Sequence, residues 1–259
     1  MLQTAIEAAR KAGQIIVERF SGERNVTVKG YRDIVTEVDI LAEGVILDLI
    51  RARFPDHAIL SEEASGGTGK VTGGLAEGHT WVVDPLDGTT NYARRIPAFV
   101  TSIGVLGRGE PVVGVVYDPL RDQLFVAERG RGATLNGEPI HASGIARLDH
   151  AVVGLDWSHS DEGRRQTLDM LYRVAQRCGT VRSFGSAVLM QCYVAVGWLD
   201  AYFNLMLKPW DVAAATLIVA EAGGRCTTIE GEPYHVSVPG CLVTNGLVHD
   251  EMLAVMHAS

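Results

Sequence analysis

The first twenty residues of the chain show the hydrophobic spacing of an amphipathic helix. Apolar or small residues recur at alternating intervals of 4 and 3 positions, at Leu2, Ile6, Ala9, Gly13, Ile16 and Phe20. Residues spaced in this way lie on one face of an α-helix. We therefore predict that the chain begins with a helix whose apolar face packs on the core.

A second helix is predicted from about Thr36 to Arg53, after a turn and a short strand in Asn25–Gly30 (NVTVKG). Thr36 and Asp39 have the spacing of a capping box, in which each side chain bonds the other's backbone at a helix start. Pro55 lies just beyond the last apolar positions and ends the pattern. This part of the chain is therefore expected to be helix, strand and helix.

The middle of the chain changes to strand patterning. β-branched and apolar residues alternate or run together there, as is typical of strands in a sheet. The segments are AILSEE (58–63), TWVVD (80–84), FVTSIGVLGRG (99–109), PVVGVVYDP (111–119) and QLFVAE (123–128). The Gly-rich stretch from Ser65 to Gly78 is interpreted as a mobile surface loop.

The rest of the chain mixes helices and strands. Strands are predicted at 151–155, 199–204, 224–229 and 240–245, and helices at about Glu162–Cys178, Ala187–Gly197, Trp210–Ala222 and Val248–His257. The pattern lacks strict βαβ alternation, which argues against a doubly wound parallel sheet. We predict a layered α/β (α+β) fold with mixed, largely antiparallel sheets. The 259 residues form a single domain in this interpretation, with halves at about 1–140 and 141–259.

Composition excludes some functions. Lysine and arginine number 23 against 31 aspartates and glutamates, a formal net charge of −8 without the basic footprint of a nucleic-acid-binding protein. The four cysteines form no CxxC pair and are expected to be free thiols. The N-terminus resembles no signal peptide and no apolar run is long enough to span a membrane. We expect a cytoplasmic protein that binds neither membranes nor nucleic acid.

The most informative segment is WVVDPLDGTTNYA, from Trp81 to Ala93. An apolar strand ends at Asp84, and a turn brings Asp87 towards the same point, with the Leu86 carbonyl between them. Hard divalent cations prefer such oxygen ligands. A helix start after Gly88 would offer backbone N–H groups to a phosphate. The alternative is a simple turn, since Asp, Pro and Gly are common turn residues.

Further carboxylates recur along the chain. Glu62 and Glu63 lie at the end of a predicted strand, Asp33 lies just before the second helix and Asp39 in its first turn, and Asp211 stands at a later helix start. Each has an ordinary alternative: Glu62 and Glu63 fit a solvated loop, and the aspartates fit helix capping. Their occurrence together with the Asp84 segment favours a metal site.

These motifs resemble the inositol monophosphatase family of lithium-sensitive, metal-dependent sugar phosphatases. The matching elements are Asp33–Asp39, Ser61–Glu63, Asp84–Asn91, Trp210–Ala214 and Glu221–Gly224. The resemblance covers roughly residues 5 to 250. It implies an αβαβα sandwich, a homodimer, and a site holding two to three Mg²⁺ ions, with Mn²⁺ as an alternative.

The resemblance also implies a metal-ligand set. Glu62, Asp84 and the Leu86 carbonyl would hold one ion, and Asp84, Asp87 and Asp211 a second. A third, weaker ion would lie near Glu62.

Catalytic and substrate roles are implied in the same way. Thr89 and Asp39 would orient and deprotonate the attacking water, on the ion held by Glu62. The substrate contacts would be Asp87, Gly88, Thr89, Thr90, Arg182, Ser186, Ala187 and Asn204.

The implied activity is hydrolysis of a small phosphorylated polyol or sugar, of the inositol 1-phosphate type. Asn204 stands where family members active on inositol phosphate carry glutamate, and Ser61 replaces a usual glycine. Fructose 1,6-bisphosphate, histidinol phosphate, glycerol phosphate and a nucleotide 3′-phosphate therefore stay open. A non-catalytic binding or regulatory relative is a further alternative. A nucleotide-binding loop at Gly66–Lys70 is excluded, because Ala64 and Val71 break the phosphate-loop pattern.

Overall fold

A computed structural model of the chain describes residues 1–22, 25–66 and 78–258. Most of the glycine-rich stretch predicted to be a mobile loop, and most of the Gly66–Lys70 motif, lies outside the described residues. The helices are α1 (Leu2–Phe20), α2 (Glu37–Arg53), α3 (Thr89–Arg94), α4 (Asp161–Ala175), α5 (Ala187–Ala195), α6 (Pro209–Val212), α7 (Ala215–Glu221) and α8 (His249–Met256), with a 3₁₀ turn at Leu148–His150.

The strands of the first half form a hairpin and a large sheet. The hairpin pairs β1 (Val26–Gly30) with β2 (Asp33–Thr36). Seven strands form the large sheet in chain order: β3 (Ala58–Ser61), β4 (His79–Asp87), β5 (Val100–Gly107), β6 (Glu110–Asp118), β7 (Gln123–Glu128), β8 (Ala133–Leu135) and β9 (Glu138–Pro139). Among the described strands of this sheet, β3 and β4 are parallel and every other neighbouring pair is antiparallel.

The strands of the second half form a five-stranded sheet. They are β10 (Val152–Leu155), β11 (Thr180–Arg182), β12 (Ala201–Asn204), β13 (Arg225–Thr227) and β14 (Cys241–Thr244), in the order β11-β10-β12-β14-β13. β10 runs parallel to both its neighbours, whereas β14 is antiparallel to β12 and β13. The prediction of mixed, largely antiparallel sheets is confirmed.

The helices form three layers around the two sheets. α1 and α2 cover the outer face of the seven-stranded sheet. α5 and α7 lie between the two sheets, where the largest apolar cluster is buried. α4 and α8 pack together over the outer face of the five-stranded sheet. The result is the αβαβα sandwich that the family resemblance implies.

The predicted start of the second helix is confirmed in detail. The Thr36 hydroxyl accepts a hydrogen bond from the Val38 amide, and the Asp39 carboxylate accepts from the Thr36 amide over 2.9 Å. This capping box holds Asp39 in a buried position, because its side chain is turned back onto the helix start rather than towards solvent.

The single helix predicted over Trp210–Ala222 is wrong: a turn at Ala213 and Ala214 divides it into α6 and α7. The turn packs directly on two strands. A Cβ on Gly104 of β5 would come within 2.8 Å of the Ala213 Cβ, and one on Gly114 of β6 within 2.5 Å of the Ala214 carbonyl oxygen. Contact with glycines distant in the chain, rather than local propensity, therefore shapes this segment.

The remaining expectations concern thiols and membranes. All four cysteines are free, as predicted, and Cys192 and Cys241 are buried. None of the helices in the described ranges is both long and apolar enough to cross a bilayer.

Candidate active site

Asp84 and Asp87 lie at the end of β4, a strand buried along most of its length. Residues three apart in a regular strand point to opposite faces. Here the pairing with β5 shifts register between the two aspartates, and the shift brings their carboxylates to the same side. The Leu86 amide donates to Asp84 Oδ1 over 3.0 Å and holds the turn.

Asp211 reaches the same point from the second half of the chain. It lies in the short helix α6, where its Oδ2 accepts a hydrogen bond from the Lys208 amide over 2.7 Å. Carboxylate oxygens of Asp84, Asp87 and Asp211 all lie within 4.8 Å of one another. These residues are called the acidic trio below.

Burial and mutual repulsion oppose ionisation of the acidic trio. Burial raises the pKa of Asp84 and Asp211 well above the ordinary value, and neighbouring carboxylates raise it further. Burial also raises the pKa of Asp87 to about 6, although hydrogen bonds from Ser186 and from α5 lower it. A divalent cation would remove this repulsion, and three carboxylates are the oxygen donors such ions prefer. The donor set therefore fits a magnesium-type ion.

Glu62 lies just outside the acidic trio, after β3. Burial raises its pKa to about 7, Lys29 lowers it, and Glu63 raises it. The Lys29 ammonium, on the β1–β2 hairpin, contacts Glu62 Oε1 at 3.0 Å and Glu63 Oε1 at 2.5 Å. Burial opposes the charge of Lys29, but the two glutamates outweigh it and raise its pKa. The hairpin thus supplies a positive charge beside the predicted metal ligand.

Glu43 is a residue that the sequence reasoning missed. It is buried on α2, and its Oε1 accepts hydrogen bonds from the Ser61 hydroxyl and from the amides of Glu63 and Ala64, at 3.0 and 3.1 Å. These bonds fix the turn that carries Glu62. A usable signal was its position one helical turn after Asp39, on the same face of α2.

Thr89 and Asp39 are in contact. The Thr89 hydroxyl lies 2.9 Å from Asp39 Oδ1 and 3.1 Å from the Leu86 carbonyl oxygen. Burial raises the pKa of Asp39, while hydrogen bonds from Thr36 and Thr89 lower it. The pair lies next to the turn that carries Asp84 and Asp87.

Gly88 makes the sharp turn between β4 and α3. Its φ is +96°, and a Cβ there would come within 2.9 Å of the Ala98 carbonyl oxygen. Thr89 opens α3 and Thr90 is exposed beside it. The first-turn amides of a helix lack intrahelical acceptors, so this segment presents N–H groups next to the carboxylates.

The start of α5 contacts Asp87. The Ser186 hydroxyl and the Val188 amide, the latter at 2.9 Å, donate to Asp87 Oδ2. Ser186 is also the N-cap of α5, and Ala187 is its first residue. Two of the predicted substrate contacts therefore lie beside Asp87, and one of them holds its carboxylate in place.

The side chains of two other predicted substrate-binding residues form hydrogen bonds within the protein. Arg182 is exposed, and its guanidinium donates to the Thr180 hydroxyl and the Val181 carbonyl, both at 2.8 Å. Asn204 is buried at the end of β12, where its Nδ2 donates to the Tyr202 hydroxyl and its Oδ1 accepts from the Met206 amide. The structure places neither side chain in hydrogen-bond contact with the acidic trio.

Asp156 is the second residue that the sequence reasoning missed. It is buried directly after β10, as Asp84 is at the end of β4. Burial raises its pKa to about 7, hydrogen bonds from Gly185 and Ser183 lower it, and the charge of Asp87 raises it. The signal was available, because VVGLD repeats the pattern of an apolar strand followed by a carboxylate.

Comparisons with known proteins identify the family of the chain. The model of the inositol monophosphatase family matches residues 1–258. The chain is 39% identical over 259 residues to Nus factor SuhB of Escherichia coli K12, covering 99% of this chain and 95% of that protein. It is 40% identical over 263 residues to an inositol-1-monophosphatase of Synechocystis, covering 100% and 89%. The crystal structure of extragenic suppressor protein suhB from Bartonella henselae superposes with a TM-score of 0.93 at 33% identity, covering 99% of this chain and 98% of that one.

Proposed function

Because the chain belongs to the inositol monophosphatase family, we propose that it is a magnesium-dependent phosphomonoesterase that hydrolyses a small phosphorylated polyol or sugar. Water attacks phosphorus, the P–O bond to the leaving group breaks, and the alcohol leaves with a proton as inorganic phosphate forms. The observation that carries the proposal is the acidic trio, whose carboxylate oxygens converge within 4.8 Å.

The proposed ligands are the acidic trio, Glu62 and the Leu86 carbonyl. Two to three Mg²⁺ ions, or Mn²⁺, would be held there. When bound, the ions lower the pKa of water and stabilise negative charge on the attacking and leaving oxygens. The structure supports the ligand set by burial, since an uncompensated cluster of buried carboxylates is unfavourable.

Thr89 and Asp39 are the proposed base. The Thr89 hydroxyl donates a hydrogen bond to Asp39 Oδ1, so its oxygen lone pairs can face the attacking water. As Thr89 takes a proton from that water, its own hydroxyl proton would pass to the Asp39 carboxylate. The buried Asp39 carboxylate stabilises the hydroxyl orientation that makes this possible. General-base assistance of this kind contributes about 10²- to 10⁴-fold in rate.

The phosphate would lie against the segment Gly88–Thr90, whose amides are at a helix start. The leaving group would then extend towards the start of α5, at Ser186 and Ala187, and towards Arg182 and Asn204. Only part of the Asp87 carboxylate would be available to a substrate hydroxyl, because its Oδ2 already accepts hydrogen bonds from Ser186 and Val188. Inositol 1-phosphate, fructose 1,6-bisphosphate, histidinol phosphate, glycerol phosphate and a nucleotide 3′-phosphate are the candidate substrates.

The setting of the enzyme is also a proposal. The free thiols support a reducing compartment such as the cytoplasm, and the net charge of −8 argues against nucleic acid as a partner. A homodimer is proposed from the family resemblance, with light scattering of the purified protein as its test.

A second candidate is a binding role, with or without catalysis. It is favoured by the 39% identity to a relative whose name describes a Nus factor. The acidic trio and the Thr89–Asp39 contact argue that catalysis is kept in any case. The two roles are separable, because a binding role would survive loss of the trio whereas phosphate release would not.

The first experiment is phosphate release with and without Mg²⁺ from the five candidate substrates. We expect release from at least one, abolished by a chelator and restored by added Mg²⁺. Release that is indifferent to chelation would contradict the metal proposal. If none of the five is hydrolysed while Mg²⁺ binds, the binding role becomes the better proposal.

A further inference from the structure

Asp156 lies where three parallel strands end. β10 lies between β11 and β12, and Leu155 pairs with Phe203. Asp156 therefore follows directly beside Asn204, at the carboxyl ends of the strands. In open sheets this edge is where ligands bind.

One oxygen of Asp156 is well bonded and the other is not. Oδ1 accepts from the Ser183 hydroxyl at 3.0 Å and from the Gly185 amide at 2.9 Å. Oδ2 is buried and has no hydrogen-bond partner among the described residues, and the whole residue is only 8% exposed. Burying a carboxylate oxygen without a hydrogen-bond donor is unfavourable. A donor on a bound ligand would remove this cost.

No described lysine or arginine forms an ion pair with Asp156. Its neighbour Asn204 uses both of its polar atoms on Tyr202 and Met206. A carboxylate is therefore present at this edge without a paired positive charge from the described residues. A hydroxyl or ammonium group of a ligand would supply the missing donor.

A short path connects Asp156 to the acidic trio. Gly185 donates to Asp156, and the next residue, Ser186, donates to Asp87. The Asn91 amide of α3 holds the same loop by donating to the Phe184 carbonyl over 2.6 Å. Asp156 and Asp87 thus contact adjacent residues of one loop, beside the place where the leaving group is proposed to lie.

We propose that Asp156 Oδ2 receives a hydrogen bond from a hydroxyl or ammonium group on the leaving group, and so selects substrates that carry such a donor. This inference rests on the proposed phosphatase function. Asn204 stands where the family resemblance implies a glutamate. In this inference Asp156, at the end of the neighbouring strand, supplies the carboxylate that position 204 lacks.

The test compares substrates that differ in this donor. Isopropyl phosphate and glycerol 2-phosphate are both esters of a secondary alcohol, and only the second carries hydroxyls. Histidinol phosphate carries an ammonium group. The variant is Asp156→Asn, because the amide oxygen can keep the bonds from Ser183 and Gly185 while an N–H₂ group replaces Oδ2. Asp149→Asn, an exposed aspartate of the same half, is the matched control.

We expect kcat/KM of Asp156→Asn to fall about 10- to 100-fold for the substrate with the matching donor. Isopropyl phosphate should change by no more than about twofold, and Asp149→Asn should resemble the wild type throughout. The substrate that loses most identifies the donor as hydroxyl or ammonium. The wild-type preference for donor-bearing substrates tests the inference by itself, should the variant fail to fold.

Several outcomes would overturn the inference alone. An equal loss on all three substrates would make Asp156 a positioning residue for the loop, and no loss would mean that an ordered water or a proton satisfies Oδ2. Equal wild-type rates with isopropyl phosphate and the donor-bearing substrates would also overturn the inference. No release from any substrate, with Mg²⁺ bound, would overturn the proposed function and this inference with it.

Discussion

The Thr89 hydroxyl donates a hydrogen bond to Oδ1 of Asp39 over 2.9 Å and so joins the start of α3 to the start of α2. The other oxygen of Asp39 accepts from the amide and hydroxyl of Thr36. One buried carboxylate therefore both caps a helix and orients a hydroxyl. A substitution at Thr89 changes only the second of these interactions, so its effect on catalysis can be measured while the helix cap is kept.

Thr89→Ala should lower kcat about 10²- to 10⁴-fold, because it removes the oxygen proposed to accept the proton while leaving the α2 cap in place. Thr89→Ser, which keeps a hydroxyl, is the matched control and should retain most activity. Steady-state kinetics on the best substrate measures the loss, and the Mg²⁺-induced shift in melting temperature should be the same in both variants. A fully active Thr89→Ala enzyme would rule out the proposed base.

Asp84→Asn should abolish turnover and weaken Mg²⁺ binding while leaving the fold intact. The metal-free variant should melt at a higher temperature than the metal-free wild type, because removing one buried charge relieves repulsion within the acidic trio. Asp87→Asn should behave in the same way. Calorimetric Mg²⁺ titration and thermal melts in chelator measure the two effects, with the exposed Glu138→Gln as control. Tight Mg²⁺ binding by both aspartate variants would contradict the ligand assignment.

The metal-free protein should lose stability as the pH rises from 5 to 8. In the folded state the pKa of Asp87 is about 6 and that of Glu62 about 7, both above ordinary values. Their protonated forms are favoured by folding, so this stability is fully present at low pH and is lost as the pH rises through these values. Each unit of pKa difference corresponds to about 1.4 kcal/mol.

Magnesium should reverse this trend, because it binds the ionised carboxylates and stabilises the folded state by mass action. The shift in melting temperature between Mg²⁺ and chelator should therefore grow from pH 5 to pH 8. Thermal melts across this range measure it. A melting-temperature shift that is independent of pH would mean that Asp87 and Glu62 do not lose protons when the metal binds.

Gly88→Ala should destabilise the protein by at least about 1–3 kcal/mol, since a left-handed backbone is unfavourable for residues with a Cβ. The new methyl group would also lie 2.9 Å from the Ala98 carbonyl oxygen. Gly44→Ala is the contrasting variant: Gly44 lies within α2 with open space around it, and its replacement should stabilise by up to about 1 kcal/mol. Urea unfolding of both variants provides the comparison, and equal midpoints would contradict the argument.

Local sequence signals predicted much of this molecule. The spacing of apolar residues in α1, the Thr36–Asp39 capping box and the strand ending at Asp84 each depend on a few neighbouring residues, and each is present in the structure. The ordered series of carboxylates also indicated which residues would lie together. Asp211 was recognised because its motif matched the family rather than because a helix start requires a ligand.

Three other features that depend on contacts between distant residues were not predicted. The break between α6 and α7 follows from the close approach of Gly104 and Gly114, which no local pattern in residues 210–222 indicates. Glu43 bonds a turn in another element, and Asp156 bonds a loop after another strand. In each case a polar or glycine residue is explained only by the partner that the fold brings to it.

The acidic trio also has a kinetic consequence. Asp84 and Asp87 come from the seven-stranded sheet. Asp211 lies in α6, which follows β12 of the five-stranded sheet. Because the trio joins elements that are distant in the chain, we expect its contacts to form late in folding. Magnesium should therefore slow unfolding with little effect on the refolding rate. The ion would lengthen the lifetime of the docked state rather than hasten its formation.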